Sequence, residues 1–214
     1  SSCLLSLRRI NQIEEIDPAA RLVQCGAGVI LQNLHEAVAA QDMRFPLTLG
    51  GKGSATIGGL VSTNAGGTQV LRHGTMRALV AGLQAVMPDG SIFDGLTPLK
   101  KDNRGYDLKH LLIGAEGTIG IVTKATLHLV PALIERSVAW VAVDNPTAAY
   151  QLLLAANDAF PSMLEGFEIL PDAALRHVQK HIPGTRDPLG TVYAWHIVME
   201  LAKDSADQDP PSHA

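Results

Sequence analysis

Two glycine-rich segments contain the residue types that a ligand site lined by backbone would need. Residues 53–67 read GSATIGGLVSTNAGG, in which five of fifteen residues are glycine and most of the others are small, hydroxylated or aliphatic. Glycine has no Cβ, so N–H groups in such turns stay uncovered and can face a flat, phosphate-bearing ligand. The same residues are equally compatible with two ordinary glycine-rich turns around a short helix that begins near Thr56. Composition alone leaves both interpretations open.

The second glycine-rich segment lies immediately before a predicted strand. Residues 113–123 read IGAEGTIGIVT, with three glycines and one acid. A predicted strand at residues 79–87 and a hairpin through Pro88-Asp89-Gly90 into residues 91–94 separate it from the first segment. The chain therefore has two turns that a ligand could approach closely.

Several sharper motifs are incomplete in this sequence. The GAG at residues 26–28 imitates the opening of a dinucleotide fingerprint, but Leu31 replaces the third glycine and no acid at the end of a strand follows about 20 residues later. The GGK at residues 50–52 resembles a P-loop, yet Pro46 replaces its first glycine and Gly53 replaces the magnesium-binding Ser or Thr. The GxSxG of a nucleophile elbow is missing. We therefore expect neither a Rossmann site, nor a P-loop, nor a serine hydrolase.

The histidines give no clear metal site. His177 and His181 are four residues apart on a predicted helix, which is the spacing of paired metal ligands. We favour a role at the C-terminal end of that helix, where positive charge complements the macrodipole, because the acid of a zinc protease motif is missing. His73 could face a ligand, but a surface or core role is favoured for a single histidine. We predict no metal ligands and no catalytic residues in this chain.

Composition excludes several classes of function. The 214 residues include 17 basic and 21 acidic residues, which gives a net charge of -4 and makes nucleic acid an unsuitable partner. Residues 79–87 form an apolar run too short to span a bilayer, and no signal peptide opens the sequence. Cys3 and Cys25 lack CxxC spacing, so we expect buried thiols in a reducing compartment. We expect a soluble protein of the cytoplasm, or of an organelle matrix if the source is eukaryotic.

The order of predicted elements indicates an α+β fold in two parts. The first part has strands at residues 4–7, 21–25, 79–87 and 121–130 and helices at 31–40 and 107–112. The second has strands at 134–143, 164–170 and 191–201 and helices at 146–159 and 172–181. The change of rhythm places a domain boundary near Pro131, giving domains at residues 1–131 and 132–201. Residues 202–214 are polar and contain proline, which predicts a disordered end.

Four motifs in order carry a family resemblance: TIGG, NAGG, DNRGYDL and GAEGTIGI. Together they resemble the FAD-binding domain of the vanillyl-alcohol oxidase and p-cresol methylhydroxylase (PCMH) superfamily. More narrowly, they are similar to the branch with D-lactate dehydrogenases, D-2-hydroxyglutarate dehydrogenases and the glycolate oxidase flavin subunit. The resemblance extends over about residues 4–201. It implies the second lobe of a PCMH-type FAD-binding domain, followed by the start of an α+β substrate domain.

The resemblance also implies FAD as the cofactor and places it on the two glycine-rich segments. Backbone amides, the Thr56 hydroxyl and the Asn64 amide would meet phosphate or flavin oxygens. Glu116, Gly120 and Ile121 would meet the adenosine or ribityl portion. Asp102, Arg104 and Asp107 are expected to form a turn and a helix N-cap in the cleft wall. The candidate cofactor-binding residues are Pro46, Gly50, Thr56, Ile57, Gly58, Gly59, Asn64, Ala65, Gly66, Gly67, Glu116, Gly120 and Ile121.

The function implied by the resemblance is oxidation of a small D-2-hydroxy acid by hydride transfer to flavin, with a quinone or electron-transfer protein as acceptor. The family's pyrophosphate loop and its C-terminal histidines and acid have no counterpart here, so we expect a fragment whose catalytic and metal residues lie outside this chain. The alternative is a non-catalytic, FAD-domain-like interaction subunit or truncated protein, in a homodimer or beside a partner subunit. Glu168, in the apolar run GFEIL, is expected to be a paired, partly buried acid. Neither it nor Arg186 is a catalytic candidate.

Overall fold

The computed structural model describes residues 4–96, 99, 103 and 105–206, and these form two compact units. The first unit comprises the chain up to Gln69 together with His73–Ala132. The second comprises Val70–Arg72 and the chain from Leu133 onward. Within the described residues, no helix has the length and the apolar composition needed to cross a bilayer.

The first unit is built on a five-stranded antiparallel sheet with the strand order β1-β2-β6-β4-β5, and a separate pair is formed by β3 and β7. Its strands are β1 (Ile13–Asp17), β2 (Leu22–Gly26), β3 (Met43–Arg44), β4 (Val80–Val86), β5 (Ile92–Gly95), β6 (Ile121–His128) and β7 (Val130–Pro131). The helices are α1 (Leu31–Ala39), α2 (Ile57–Ser62), α3 (Val70–His73), α4 (Met76–Leu79) and α5 (Lys109–Leu112), of which α3 contributes Val70–Arg72 to the second unit.

The core of the first unit forms where one face of α1 and the central strands bury their apolar side chains. Leu31, Leu34 and Val38 recur at helical spacing in α1, and all three are fully buried. Leu83 of β4 and Leu127 of β6 are fully buried as well. Burying each such side chain contributes about 1.5–3 kcal/mol. The predicted helix at residues 31–40 and the predicted hairpin of β4 and β5 are confirmed.

The start of the chain differs from the sequence prediction. Residues 4–7 are not a strand; a turn follows in which Ile10 N donates to Leu7 O at 2.9 Å. The first strand is β1, which pairs with β2 and was not predicted. The turn packs directly on the GAG segment, where a Cβ at Gly26 would lie 2.3 Å from Ile10 O and one at Gly28 would lie 2.2 Å from Leu7 O. These glycines are therefore required by a close backbone approach.

The second unit contains a three-stranded antiparallel sheet with the order β8-β10-β9. Asn145 accepts a hydrogen bond from Ala148 N at 2.9 Å and so caps α6. The predicted order of strands and helices is confirmed, although β10 begins later than predicted and includes Ala202 and Lys203, which the sequence assigned to a disordered end. Residues 207–214 of that end lie outside the described residues. The elements are β8 (Glu135–Val143), α6 (Pro146–Ala159), β9 (Leu164–Pro171), α7 (Asp172–His181) and β10 (Trp195–Lys203).

The buried acid of the second unit is Glu165, so the expectation of burial at Glu168 is wrong. Glu168 is exposed because the second half of β9 is open to solvent. Glu165 is 1% exposed, and its carboxylate lies 3.6 Å from Arg72 Nη1. Arg72 also donates to Ala202 O at 3.0 Å and to the Asp204 carboxylate at 2.8 Å. The guanidinium thereby compensates two acids, one of them fully buried.

A buried histidine joins the strands to α7. Trp140 Nε1 donates to Nδ1 of His196 at 3.1 Å, so the ring proton belongs on Nε2, which lies 3.1 Å from Asp172 Oδ1. Hydrogen bonding by His196, supported by Arg176, lowers the pKa of Asp172 below its usual value. Asp172 is the first residue of α7, so this contact fixes the start of the helix against the sheet.

Candidate functional site

The two glycine-rich segments are hydrogen-bonded neighbours in the first unit. Gly114 N donates to Val61 O at 3.1 Å, and Glu116 N donates to Ser62 O at 2.9 Å. Both acceptors lie in the last turn of α2, which the first segment forms. The turns that the sequence places about 50 residues apart therefore build one continuous surface.

Helix α2 begins within the TIGG motif, which is the short helix that one of the two interpretations of this segment contains. Thr56 is its N-cap, and the Thr56 hydroxyl accepts from Gly59 N at 3.4 Å. The backbone before the helix forms an isolated bridge between Ile30 and Thr56. This bridge seats the start of α2 beside the end of β2, where the chain leaves the main sheet.

The first amides of α2 are already paired inside the protein. Ile57 N donates to Val29 O at 2.9 Å, and Gly58 N donates to Ala27 O at 2.7 Å. The sequence reasoning gave these N–H groups to phosphate or flavin oxygens, and that part of it is corrected here. Any contact of this turn with a ligand must use other atoms, because a backbone N–H already donating a good hydrogen bond has little left to offer.

Gly58 and Gly59 have different surroundings. Gly58 is buried, and a Cβ there would lie 2.7 Å from the Cβ of Ala27. Gly59 is exposed, and a Cβ there would meet only the Thr56 hydroxyl, at 3.3 Å. Glycine at position 58 is therefore required by packing, whereas position 59 borders open space.

Two neighbouring cavities open on this surface. The first, of about 340 Å³, combines glycine backbone with aliphatic side chains, and the second, of about 430 Å³, is lined mainly by small polar residues. Arg8 and Thr56 line both. The first lining is Leu5, Leu7, Arg8, Thr56, Gly58, Gly59, Ser62, Gly117, Gly120, Ile121 and Val122, and the second is Arg8, Asn11, Gly28, Ile30, Asn33, Gly53, Ser54 and Thr56.

The chemistry of these linings suits binding. Aliphatic walls and bare backbone accept a flat ring, and hydroxyl and amide side chains accept sugar hydroxyls. Neither of the two linings contains a carboxylate or an imidazole. A ligand in these two cavities therefore meets hydrogen-bonding groups and one cation, but no side chain suited to general-base catalysis near neutral pH.

The NAGG segment makes mostly internal contacts. Asn64 adopts a positive φ of 47°, and its side-chain oxygen accepts from Arg77 N at 2.9 Å, which holds α4. A Cβ at Gly67 would lie 2.0 Å from Thr48 O, so this glycine is required by packing. The side-chain oxygen of Asn64 is thus engaged within the protein, and the predicted contact of its side-chain amide with a cofactor stays a prediction.

The predicted cofactor-binding residues fall into two groups. Those that line the first cavity are Thr56, Gly58, Gly59, Gly120 and Ile121. The remaining ones line neither cavity, and their contact with a cofactor stays a prediction: Pro46 (buried), Gly50 (exposed), Ile57 (buried), Asn64 and Ala65 (half-buried), Gly66 (exposed), Gly67 (half-buried) and Glu116 (exposed).

Sequence reasoning missed the lining residues before β1 and in α1. Leu5, Leu7, Arg8 and Asn11 come from the turn that packs on the GAG segment, and Asn33 lies in the first turn of α1. The signal was present in the GAG itself, because paired glycines mark a close backbone approach as readily as a ligand. The sequence alone does not indicate that the backbone of Leu7 and Ile10 makes this approach.

The other residues that the sequence singled out do not line the two cavities where the structure describes them. Asp102 and Arg104 lie outside the described residues. Asp107 precedes α5 but does not cap it, because Leu108 is the N-cap and the Asp107 carboxylate pairs with Lys109 at 2.5 Å. The rings of His177 and His181 lie 4.4 Å apart on α7, and no group of three potential metal ligands occurs among the residues that the structure describes.

The sequence of this chain is similar to that of known flavin-binding proteins and dehydrogenases. Residues 1–95 match the FAD binding domain family. The chain is 37% identical over 206 residues to mitochondrial D-2-hydroxyglutarate dehydrogenase of Arabidopsis thaliana, covering 96% of this chain and 37% of that protein. It is 32% identical over 206 residues to D-2-hydroxyglutarate–pyruvate transhydrogenase of Saccharomyces cerevisiae, covering 96% of this chain and 42% of that protein. The chain thus spans less than half the length of both relatives.

The fold has a counterpart among solved structures. Alkyldihydroxyacetonephosphate synthase superimposes with a TM-score of 0.73 at 14% identity, covering 92% of this chain and 38% of that one. The predicted α+β fold and the resemblance to FAD-binding domains are confirmed. The family match supports FAD as the cofactor, and the cavity linings fit such a group.

Proposed function

We propose, from the membership of residues 1–95 in the FAD binding domain family, that this chain forms part of the FAD site of an oxidoreductase acting on a small D-2-hydroxy acid. The observation that carries the proposal is the meeting of both glycine-rich turns at one cavity, which Gly59 of the first turn and Gly120 and Ile121 of the second turn line. The names of both relatives include D-2-hydroxyglutarate, which is the substrate we propose first. D-Lactate and glycolate are alternatives of the same class.

The residues of this chain would bind and orient the cofactor. Bound FAD supplies the two-electron acceptor that a 2-hydroxy acid needs to become a 2-oxo acid. The aliphatic wall of Leu5, Leu7 and Val122 would exclude water from one side of the ligand, while Thr56 and Ser62 offer hydroxyl groups. The group that takes the substrate's hydroxyl proton must come from elsewhere, because neither cavity lining offers a carboxylate or an imidazole.

The same proposal includes an electron acceptor and a location for the protein. A quinone or an electron-transfer protein would take the electrons onward. The mitochondrial assignment of the Arabidopsis relative supports an organelle matrix as the location, in preference to the cytoplasm.

A second candidate function is a non-catalytic FAD-domain-like subunit, acting in a homodimer or beside a catalytic partner. The observation that favours it is the same lack of a carboxylate or an imidazole in the two described cavities. It differs from the first proposal in one respect that can be measured: such a subunit would not reduce a bound flavin.

Anaerobic flavin reduction tests the proposal. The longest protein that the gene encodes is reconstituted with FAD, and D-2-hydroxyglutarate is added without oxygen, with L-2-hydroxyglutarate as the matched control. We expect the D enantiomer to bleach the absorbance of oxidised flavin and the L enantiomer to leave it unchanged. Retention of FAD without bleaching by D-2-hydroxyglutarate, D-lactate or glycolate would contradict the proposal and favour the non-catalytic subunit.

A further inference from the structure

Strand β8 is an edge of the three-stranded sheet, and it lacks the features that usually keep an edge strand from pairing. In the described part of the chain it pairs with β10 on one side and with no strand on the other. Its nine residues include SVAWVAV at residues 137–143, a run without charge, proline or glycine. Val138, in this run, is 61% exposed. A long apolar edge with free N–H and C=O groups is a template for another strand.

The other sheet edges among the described residues are protected. Strand β1 carries Glu14, Glu15 and Asp17 within five residues, and its pairing with β2 contains a register shift. Strand β5 has four residues, and β3 and β7 have two each. Strand β9, at the opposite edge of the same sheet as β8, contains Glu168, ends at Pro171 and is irregular in its pairing with β10. Charge, proline, bulges and short length all block edge-to-edge pairing, so β8 differs from every other described edge.

We propose that β8 pairs antiparallel with β8 of a second copy of this chain, so that two three-stranded sheets join into one sheet of six strands. Pairing of a strand with its own copy about a two-fold axis is isologous and closes at a dimer, because each copy uses the same edge. The two edges left in the dimer are those of β9, which are protected. The inference is independent of the proposed function, since it involves no cofactor and no residue of the two cavities.

The charges at the two ends of β8 are self-complementary in one register. When Trp140 lies opposite its own copy, Arg136 of each chain lies opposite Asp144 of the other. Residues of the same face are then opposite each other, so the sheets join with matching faces. A register displaced by two residues places Asp144 opposite Ile134 or Val138 and leaves it without a basic partner. Oppositely charged pairs across strands are favourable, which selects the first register.

Both charged groups are accessible for such a pair. Asp144 is exposed and forms no hydrogen bond or ion pair in the described part of the chain. Arg136 pairs with Glu200 of β10, and its side chain is still 58% exposed. A guanidinium has five donors and can bind a second carboxylate. Arg136 can therefore bridge Glu200 of its own chain and the acid that follows β8 in the second copy.

The test is sedimentation equilibrium of the 214-residue chain, together with hydrogen exchange of the β8 amides. We expect a reversible monomer–dimer equilibrium over about 1–500 µM protein, as for a small and weak interface. Amides of β8 that face the free edge should exchange more slowly at the highest concentration than at the lowest, because pairing with a second strand protects them.

Two lysine substitutions separate the β8 edge from apolar surface in general. Val138→Lys places a charge in the middle of the edge and should weaken the dimer at least about tenfold. The melting temperature of the monomer should stay unchanged, because the side chain at this position reaches water. Val178→Lys is the matched control, since Val178 is also exposed but lies on α7, which packs against β9. It should change the dimer constant less than about twofold.

A second pair of variants tests the register. Asp144→Lys and Glu135→Lys change the net charge equally, but only Asp144 lies opposite Arg136 in the proposed dimer, whereas Glu135 lies opposite Asn145. Asp144→Lys should weaken the dimer about fivefold or more at low salt, and Glu135→Lys should not weaken it. The effect of Asp144→Lys should narrow at about 1 M NaCl, where charges are screened.

Several results would overturn the proposal. A chain that stays monomeric up to about 500 µM would contradict pairing with a second copy at this affinity. A dimer that Val138→Lys and Val178→Lys weaken equally, or one in which the β8 amides exchange at the same rate at all concentrations, would place the interface elsewhere. Growth beyond dimers would contradict a closed pairing. Equal effects of Asp144→Lys and Glu135→Lys would overturn the register.

Discussion

Two adjacent glycines in the TIGG motif carry different physical requirements. The Cα of Gly58 faces Ala27, where a Cβ would lie 2.7 Å from another Cβ, whereas Gly59 borders the first cavity with only the Thr56 hydroxyl nearby. Packing and ligand access can therefore be separated by substituting one glycine at a time. No other pair of neighbours in the described cavity linings offers so direct a contrast.

We predict that Gly58→Val destabilises the protein and that Gly59→Val impairs FAD binding while leaving the fold intact. Overpacking at position 58 should cost about 1–3 kcal/mol of unfolding free energy. The branched side chain at position 59 would instead occupy space in the cavity. Apoprotein melting and FAD affinity are measured on both variants. A large loss of apoprotein stability in Gly59→Val with unchanged FAD affinity would defeat the cofactor role of this position.

Cys25 provides a separate test of the core. Burial raises the pKa of its thiol to about 12, and the side chain is 0% exposed in β2. At pH 8 only about one molecule in ten thousand carries the thiolate that reacts with disulfide reagents. We predict that Cys3→Ser, which leaves Cys25 as the single thiol, is inert to such a reagent until denaturant is added. Rapid labelling of the folded variant would show that β2 is not buried as described.

At the residue scale, the sequence predicted which segments form the candidate site but not which of their atoms are free to contact a ligand. The TIGG and GAEGTIGI segments do form one surface, because glycine-rich turns tolerate the close contacts that such a surface needs. The amides of Ile57 and Gly58 in the TIGG segment, however, already donate hydrogen bonds to Val29 O and Ala27 O. These acceptors lie in a different part of the sequence, and no motif indicates that the two parts are in contact. Arg8 was missed for the same reason, since its position depends on a tertiary contact with Gly28.

At the scale of elements, α7 depends on one carboxylate at its first position. Asp172 receives a hydrogen bond from the buried His196 ring and pairs with Arg176 on the next turn. These partners lower the pKa of Asp172 in the folded state. Because the folded-state pKa is below the unfolded value of about 3.9, the stabilisation is present above that pH and is lost as the pH falls through the folded value.

We therefore predict that Asp172→Asn lowers the melting temperature near neutral pH and that this deficit shrinks as the pH falls below about 4 and then through the lower pKa of the folded wild-type carboxyl. Thermal melting over a pH series checks it. Asp158→Asn is the matched control, because Asp158 is an exposed acid on α6 with no hydrogen bond or ion pair in the described part of the chain. A deficit independent of pH, or equal in both variants, would contradict the role of the Asp172 contact.

Elements with strong periodicity were predicted and those set by tertiary contact were not. Helix α1 and the strand-helix alternation of the second unit follow from patterns of apolar residues that local physics already favours. Residues 4–7 are apolar but form no strand, because the backbone there rests on the GAG segment instead of pairing with a neighbour. The short helices α3 and α4 are too brief to leave a periodic signal.

At the scale of the whole molecule, the surface that we propose for the cofactor consists of two open cavities in the first unit. The two cavities share Arg8 and Thr56 in their linings, and the chain spans less than half the length of the relatives described above. We predict that the 214-residue protein purifies colourless, or with well under one FAD per chain, because dilution removes a weakly held ligand. Near-stoichiometric flavin absorbance after gel filtration would show that these turns alone suffice for tight binding.

The most direct test of the central claim is an equilibrium titration of this chain with FAD, with NAD⁺ as the competing dinucleotide. The account predicts saturable binding of one FAD per chain, weakened by Gly59→Val, and no displacement by NAD⁺, because the GAG segment serves a backbone contact and not a nicotinamide dinucleotide. Absence of saturable FAD binding, or displacement of FAD by equimolar NAD⁺, would contradict the claim that the first unit is built to hold a flavin.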